Sequence, residues 1–434
     1  MDIINDNEAK LYKHFLTSSL GSAMVMSIYT MADAVAIGKG VGPLGLSALN
    51  ITTPLLCVLI SSGLLFGIGG ASLMSIQYGQ GQTEKGNRIF TSSCIGILIF
   101  TAIYWVIYGV FMDRLISLLG GTPAIYDYVY SYMKWVLRFL PVLLLANFMS
   151  CFVRNDNNPR LSMAAVIGGG ILNVFLDWLF VFPLKMGIGG AALASMLGML
   201  LSLLIASSHF LRKSCRLKFI KPKSFIADFK NILMTGISSF INEFSNGLIV
   251  CLFNLQILRY SNEITLSVYG VISNCSILFC SMFTGIGQAV QPLISISYGA
   301  GKPERIKKFK RYGITTALIM GAVFTLIGVV SPIGVMKVFT TVSEETAAIG
   351  NTALRMYFIA FIFMGINIIS SYYMQAVIRN TEAFIISFLR SILFSCTLVF
   401  IMPKLFGISG IWTVMPVSEA LTAVISLILM KRKK

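Results

Sequence analysis

Apolar residues run through this chain in long stretches broken by short polar segments, and that rhythm decides the class of protein before any single residue is weighed. A bilayer core about 30 Å thick takes about 20 apolar residues to cross as a helix. Cutting the chain at its polar breaks predicts helices near 15–38, 50–77, 91–112, 126–150, 161–183, 188–210, 231–258, 265–297, 313–338, 349–376, 385–403 and 407–430, twelve in all. The expected fold is an all-α integral membrane protein.

The polar ends of the spans repeat. GIGGASLMSIQYGQGQTE at 67–84 reappears as GIGQAVQPLISISYGAGKPE at 285–304, and six of the ten positions from Ser75 to Glu84 are identical at an offset of 220. The same offset pairs Leu46-Ser47 with Leu266-Ser267, Asn147 with Asn367, Pro183 with Pro403, and Gly187-Ile188 with Gly407-Ile408. One register shared by separated places implies a duplicated six-helix unit. An even number of spans per unit gives both copies the same orientation, a known transporter plan with substrate near the midplane. The expected division is 1–210, a basic linker at 211–230 containing Pro222, and 231–434.

Composition narrows the class further. With 56% hydrophobic residues, 12% charged and a mean hydropathy of +0.81, a set of soluble domains is excluded. A net charge of +17 would suit nucleic acid, but the placement of Lys and Arg argues otherwise. With the N-terminus cytoplasmic, inner segments hold 24 of the 34, among them seven in 211–230, six in 302–311 and the run KRKK at 431–434, while outer loops hold six. That bias is the positive-inside rule. It predicts both termini in the cytoplasm of a plasma-membrane protein, with lipid and not nucleic acid as partner. The linker is expected to lie against anionic lipid chiefly as a topological anchor. The opening segment MDIINDNEAKLYKHF is polar, is expected at the cytoplasmic surface, and does not read as a cleaved signal peptide. Six of the eight Cys (57, 94, 251, 275, 280, 396) fall inside spans with no CxxC and are expected to be small buried thiols. His14 and His209 are too far apart in sequence to suggest a metal motif.

Acids interrupt the apolar runs. In LNVFLDWLF, Asn173 and Asp177 stand four apart and share one helix face. A charge at the bilayer centre costs roughly 2.5–3.5 kcal/mol on insertion scales, so such groups face a bundle interior or a wet cavity. The alternative is solvation at a helix end, Pro183 standing six residues on. GIGGAALAS then opens the next span with small residues that allow close helix approach, with Ser195 about two turns in. The first span carries Asp33 with Tyr29 one turn earlier. Glu243, flanked by Asn242 and Asn246, and then Asn274, Gln288 and Gln291, follow in the second half. Glu419 lies mid-span in the last helix, where pairing with Arg355 or Arg390 would make it structural. Matched to Asn173, Asp177 and Asp33 stand Leu393, Thr397 and Phe253, so only the first half holds the carboxylate pair.

Chemistry follows from what is present. GAGKPE at 299–304 has Pro where a phosphate loop needs Ser or Thr, and no hydrolase spacing occurs, so neither ATP-driven work nor an enzyme is expected. A carboxylate deprived of water favours its protonated form. It therefore takes a proton in a dry bundle and releases it when wetted, or with Asn and Ser oxygens it holds Na⁺. Either ion competes with a cationic substrate, the physical basis of antiport, and the residues suit both.

On these residues the chain resembles the multidrug and toxic compound extrusion (MATE) family, of the bacterial kind. The motifs that carry the resemblance are IYTMADAVAIGKGVGPLGLSALNITTP at 28–54, the paired GIG…YGxGxxE ends, and LNVFLDWLF with GIGGAALAS at 172–195. The resemblance covers nearly the whole chain and implies a V-shaped two-lobe bundle of two parallel six-helix repeats. It implies that Asp33, Asn173, Asp177 and Ser195 form the cation- or proton-coupling site, with Asp33, Asn173 and Asp177 as ligands if the ion is Na⁺, and with Tyr29 and Asn147 beside them. Where some members carry an acid in the tenth span, this chain has Asn367 with no acid near it. The expected function is efflux of amphipathic, mostly cationic organic compounds in exchange for H⁺ or Na⁺ by alternating access of the two lobes, with no cofactor, in a monomer. Tyr29, Asn147, Glu243, Asn274 and Gln288 are the candidates for the substrate cavity, which 22 Met and 31 Phe would help to make adaptable. The alternative is a flippase for lipid-linked oligosaccharide, which would want a cationic cavity.

Overall fold

A computed structural model describes residues 3–119, 123–339 and 342–431, and among them there is no strand. The helices are α1 (Glu8–Gly40), α2 (Pro43–Gly79), α3 (Thr83–Leu118), α4 (Pro123–Arg138), α5 (Leu140–Asn155), α6 (Pro159–Val181) and α7 (Gly187–Ser207) in the first half. The second half has α8 (Phe225–Tyr260), α9 (Glu263–Gly299), α10 (Pro303–Val330), α11 (Pro332–Phe339), α12 (Glu344–Tyr357), α13 (Ala360–Ala376), α14 (Asn380–Phe388), a π-helical stretch Leu389–Phe394, and α15 (Ser395–Lys431).

Local chemistry explains the helix ends. Asn7 Oδ1 accepts from the amides of Ala9 and Lys10 to start α1, Asn158 Oδ1 accepts from Leu161 N to start α6, and Ser343 with Thr346 forms a capping box at α12. Ten described helical stretches are long and apolar enough to cross a membrane, and α4 with α5, bent by 60° between them, make an eleventh. The twelfth emerges within Asn380–Lys431, where Gly407 at φ 60°, ψ −145° interrupts the helix and separates two spans. Outward faces are apolar, as at Val110, Ile319 and Leu326, which suits lipid.

Duplication is written into the backbone. Helices α2 and α9 begin and end 220 residues apart, and left-handed glycines recur at Gly81 and Gly301 and at Gly187 and Gly407 with that same spacing. The chain divides into two compact units, Met1–Phe244 with Ser295–Lys302, and Ser245–Ile294 with Pro303–Lys434. Phe66, Phe90, Phe148 and Phe152 are buried in the first; in the second, Phe279 stacks on Phe324 at 3.8 Å beside Phe361.

Two expectations need correction, and a third gains detail. The opening segment, expected at the cytoplasmic surface, also packs: α1 starts at Glu8, Ile3, Leu11, Tyr12 and Phe15 are buried, and Lys302 Nζ reaches Ile4 O at 3.4 Å. Its apolar residues are spaced to pack, which the surrounding charges obscure. The thiols are not uniformly buried, since Cys151 and Cys275 are but Cys251 is exposed. Finally, the basic segment is partly helical, with α8 beginning at Phe225 rather than 231, and its irregular part is tied down. Ile220 N donates to Thr91 Oγ1 at 3.0 Å, and Arg216 donates through Nε and its backbone amide to Asp156 at 2.8 and 2.9 Å. Of the terminal KRKK, only Lys431 lies within the described residues.

Candidate functional site

Close packing of α6 on α7 sets the geometry. A Cβ on Gly169 would lie 2.6 Å from Gly198 O, and one on Gly198 would lie 2.7 Å from Gly169 O, so only glycine lets the two backbones meet here. One turn further along α6, Asn173 is thereby brought alongside α7, and its Nδ2 donates to Ser195 Oγ at 3.2 Å. Helix α1 packs over the same place, with the Tyr29 ring against Gly170. Tyr29 and Asp33, one turn apart, therefore face Asn173 and Asp177, also one turn apart.

Both acids are buried, Asp33 at 9% and Asp177 at 2% exposed, and each lies within the other's electrostatic field. They are not turned to the acyl chains. Asn173 lies against Asp177 without hydrogen-bond geometry, and Asp33 Oδ1, Asn173 Oδ1 and both Asp177 oxygens are buried with no protein partner. Buried polar atoms are almost always satisfied, so four orphaned oxygens in one cluster make this the candidate binding place. Oxygens alone, three of them from carboxylates, are a donor set that can take up a proton or suit a hard cation.

Tyr29, Asn147, Asn173 and Ser195, with Ser150 and Ser202, line a cavity of about 60 Å³ in the first unit. That holds a few waters. Sites for drug-sized molecules run to about 300–1,000 Å³, so this space is on the scale of an ion. Tyr29 and Asn147, expected in a substrate cavity, thus share it with two of the coupling candidates. Glu243 is half-buried on α8 near Cys57 of α2 and does not line this cavity. Asn274 and Gln288 belong to the second unit, where Asn274 is exposed and bonds its own helix at Gly270 O.

Two features escaped sequence reasoning. Tyr132 of α4, 3% exposed, lies within electrostatic reach of Asp33, Asp177 and Tyr29 and completes the wall of the cluster. Nothing in YSYMKWVLR distinguishes it from its neighbouring tyrosines. The other is a set of three metal-type ligands, Asp156, His209 and Cys215, whose ligand atoms lie within 4.8 Å of one another. Asn158, oriented by its cap to Leu161 N, donates to His209 Nδ1 at 3.2 Å, which leaves Nε2–H to donate to Asp156 Oδ2 at 2.8 Å. With Arg216 on the same carboxylate, the oxygens of Asp156 already accept three bonds, and the trio acts as a latch for the basic segment.

The family model named MatE matches residues 19–179 and 238–401, well over half of the chain, and the matched segments include Asp33, Asn173 and Asp177. The chain belongs to the MatE family. This MatE chain is 24% identical over 422 residues to the multidrug export protein MepA of Staphylococcus saprophyticus subsp. saprophyticus, covering 96% of this chain and 92% of that one. Among solved structures it is similar to the MATE multidrug transporter DinF-BH, with a TM-score of 0.90, 24% identity, and coverage of 100% of this chain and 98% of that one. An outward-facing multidrug resistance MATE family transporter of the MOP superfamily matches with a TM-score of 0.89, 19% identity, and coverage of 99% and 98%. At these identities the structures establish a shared fold.

Proposed function

We propose that this protein is a cation-coupled multidrug efflux antiporter of the plasma membrane, with both termini cytoplasmic. One observation carries the reading. Two carboxylates from α1 and α6 are buried together, with orphaned oxygens and an ion-sized cavity beside them. A proton or Na⁺ taken there removes one of the pair's negative charges, and its release to the other side restores the charge that an amphipathic organic cation needs. Tyr29, Asn147 and Ser195 supply further oxygens, and Asn173 holds its amide toward Ser195 so that its carbonyl oxygen faces the site. The named activities of the MepA and MATE relatives support the substrate class. A cavity with no Lys or Arg among its lining residues and two acids beside it disfavours the flippase alternative, whose pyrophosphate would want cations.

Transport in inside-out vesicles tests this. Asp33→Asn and Asp177→Asn are each expected to reduce drug accumulation to the level of vesicles lacking the protein, with expression unchanged. Collapse of the proton gradient, set against replacement of Na⁺ by choline, identifies the ion. Retained accumulation in both variants would remove the acids from the mechanism.

A further inference from the structure

In the second unit, Glu419 of α15 is fully buried and both its oxygens are engaged. Arg390 Nε donates to Oε1 at 2.7 Å, and Asn367 Nδ2 donates to Oε2 at 2.7 Å and to the Glu419 carbonyl at 2.8 Å. Ser426 Oγ donates to Asn367 Oδ1 at 3.1 Å, and Ser395 Oγ donates to Arg390 O at 2.6 Å. Arg390 sits in the π-helical stretch Leu389–Phe394, a widened turn of the kind that often marks a functional position inside a helix.

The repeat gives this cluster its meaning. At an offset of 220, Asn367 falls on Asn147 and Glu419 on Met199, while Arg390 falls on Gly170, or on Gly169 at the offset of 221 that relates Asn157 to Ile378 nearby. Asn147, Gly169, Gly170 and Met199 all line the first unit's cavity. So where one unit keeps glycines and a small open space, the other places a guanidinium and its carboxylate.

We propose that Arg390 is a tethered cation, occupying in the second unit the place that an exchangeable ion takes in the first. The inference rests on reading the first unit's cavity as the coupling site. The carboxylate of the second unit is neutralised from within, by a group that cannot leave. One ion site per chain follows, and all ion dependence traces to Asp33 and Asp177. Removal of the Arg390 side chain opens a second site, whose acid is Glu419 and whose preferred occupant is a small guanidinium or alkali cation.

The test is ion-dependent thermal stabilisation of the full-length purified protein, with methylguanidinium, Na⁺ and choline as probes and pH as the proton arm. Asp33→Asn/Asp177→Asn is expected to abolish the response to Na⁺ or pH. Arg390→Gly on that background is expected to gain several degrees in millimolar methylguanidinium over choline, and Glu419→Met to cancel the gain. Arg390→Gly/Glu419→Met, which restores the first unit's residue types and leaves no charge, is expected to fold and keep ion-coupled uptake. Three results would overturn the tethered cation. These are an ion response that survives Asp33→Asn/Asp177→Asn but vanishes with Glu419→Met, a folded Arg390→Gly protein with no gain, or loss of coupling in folded Arg390→Gly/Glu419→Met. Should Arg390→Gly fail to fold, the first and third still decide. Failure of the coupling-site reading looks different: an ion response indifferent both to the two aspartates and to Glu419.

Discussion

In the first unit, Asp33 and Asp177 keep three buried carboxylate oxygens without a protein partner, whereas in the second unit both oxygens of Glu419 accept hydrogen bonds from Arg390 and Asn367. Two copies of one helical plan thus treat buried negative charge in opposite ways. A buried carboxylate that lacks a partner is stable only when a proton or cation joins it, so its cost becomes affinity for an exchangeable ion. One paired to an arginine is satisfied at all times and has nothing to exchange. The orphaned pair sits on α1 and α6, where the Tyr29 ring packs on Gly170, and the satisfied acid sits on helices pinned by a hydrogen-bond network. On the proposed reading, ion exchange and structural anchoring are separated between the repeats.

Substitutions that leave the two units unlike in stability would sharpen this contrast. The largest effect is expected from Arg390→Met, which strands the Glu419 carboxylate and should cost about 3–5 kcal/mol in denaturation of the purified protein. Asp177→Asn, an equally buried change, should cost nothing or raise stability, because no protein partner is lost. Equal losses at the two positions would erase the distinction. Next is Gly198→Val, whose side chain meets the Gly169 carbonyl; overpacking of this kind costs about 1–3 kcal/mol and should also impair transport by moving Asn173 off Ser195. Asp156→Ala should cost a similar 1–3 kcal/mol, about the value of buried bonds left unmade, yet leave ion dependence unchanged because the latch lies outside the acid cluster. Smallest is Ser195→Ala, which deletes one 3.2 Å hydrogen bond worth about 0.5–1.5 kcal/mol, read as an ion affinity weakened about 2- to 12-fold.

Much of the fold was legible in the residues because the signals are local. A span is a window of apolar side chains, and the duplication is a shared register. Asp33, Asn173 and Asp177 were visible because an acid amid apolar neighbours is costly wherever it lies, and because positions four apart must share a helix face. Tyr132 was not, since a tyrosine among tyrosines becomes part of the site only when α4 packs against α7, the helix that also packs on α6. Arg355 and Arg390 were equal candidates to pair with Glu419 in the sequence; the first proves exposed, and only the second reaches the carboxylate. His209 looked too distant from His14 to suggest a metal motif, yet 53 residues of chain fold back to set it on Asp156.

The sequence by itself determined that the chain lives in a bilayer, that it is built twice, and that its first half retains acids its second half has replaced at the matching positions. These are consequences of solvent transfer and of repeat, both of which act on residues one window at a time. Only the tertiary structure decided which buried charges are answered and which are left open. Hydrogen bonds and ion pairs are made or lost over an ångström or two, and the groups that make them come from helices far apart along the chain.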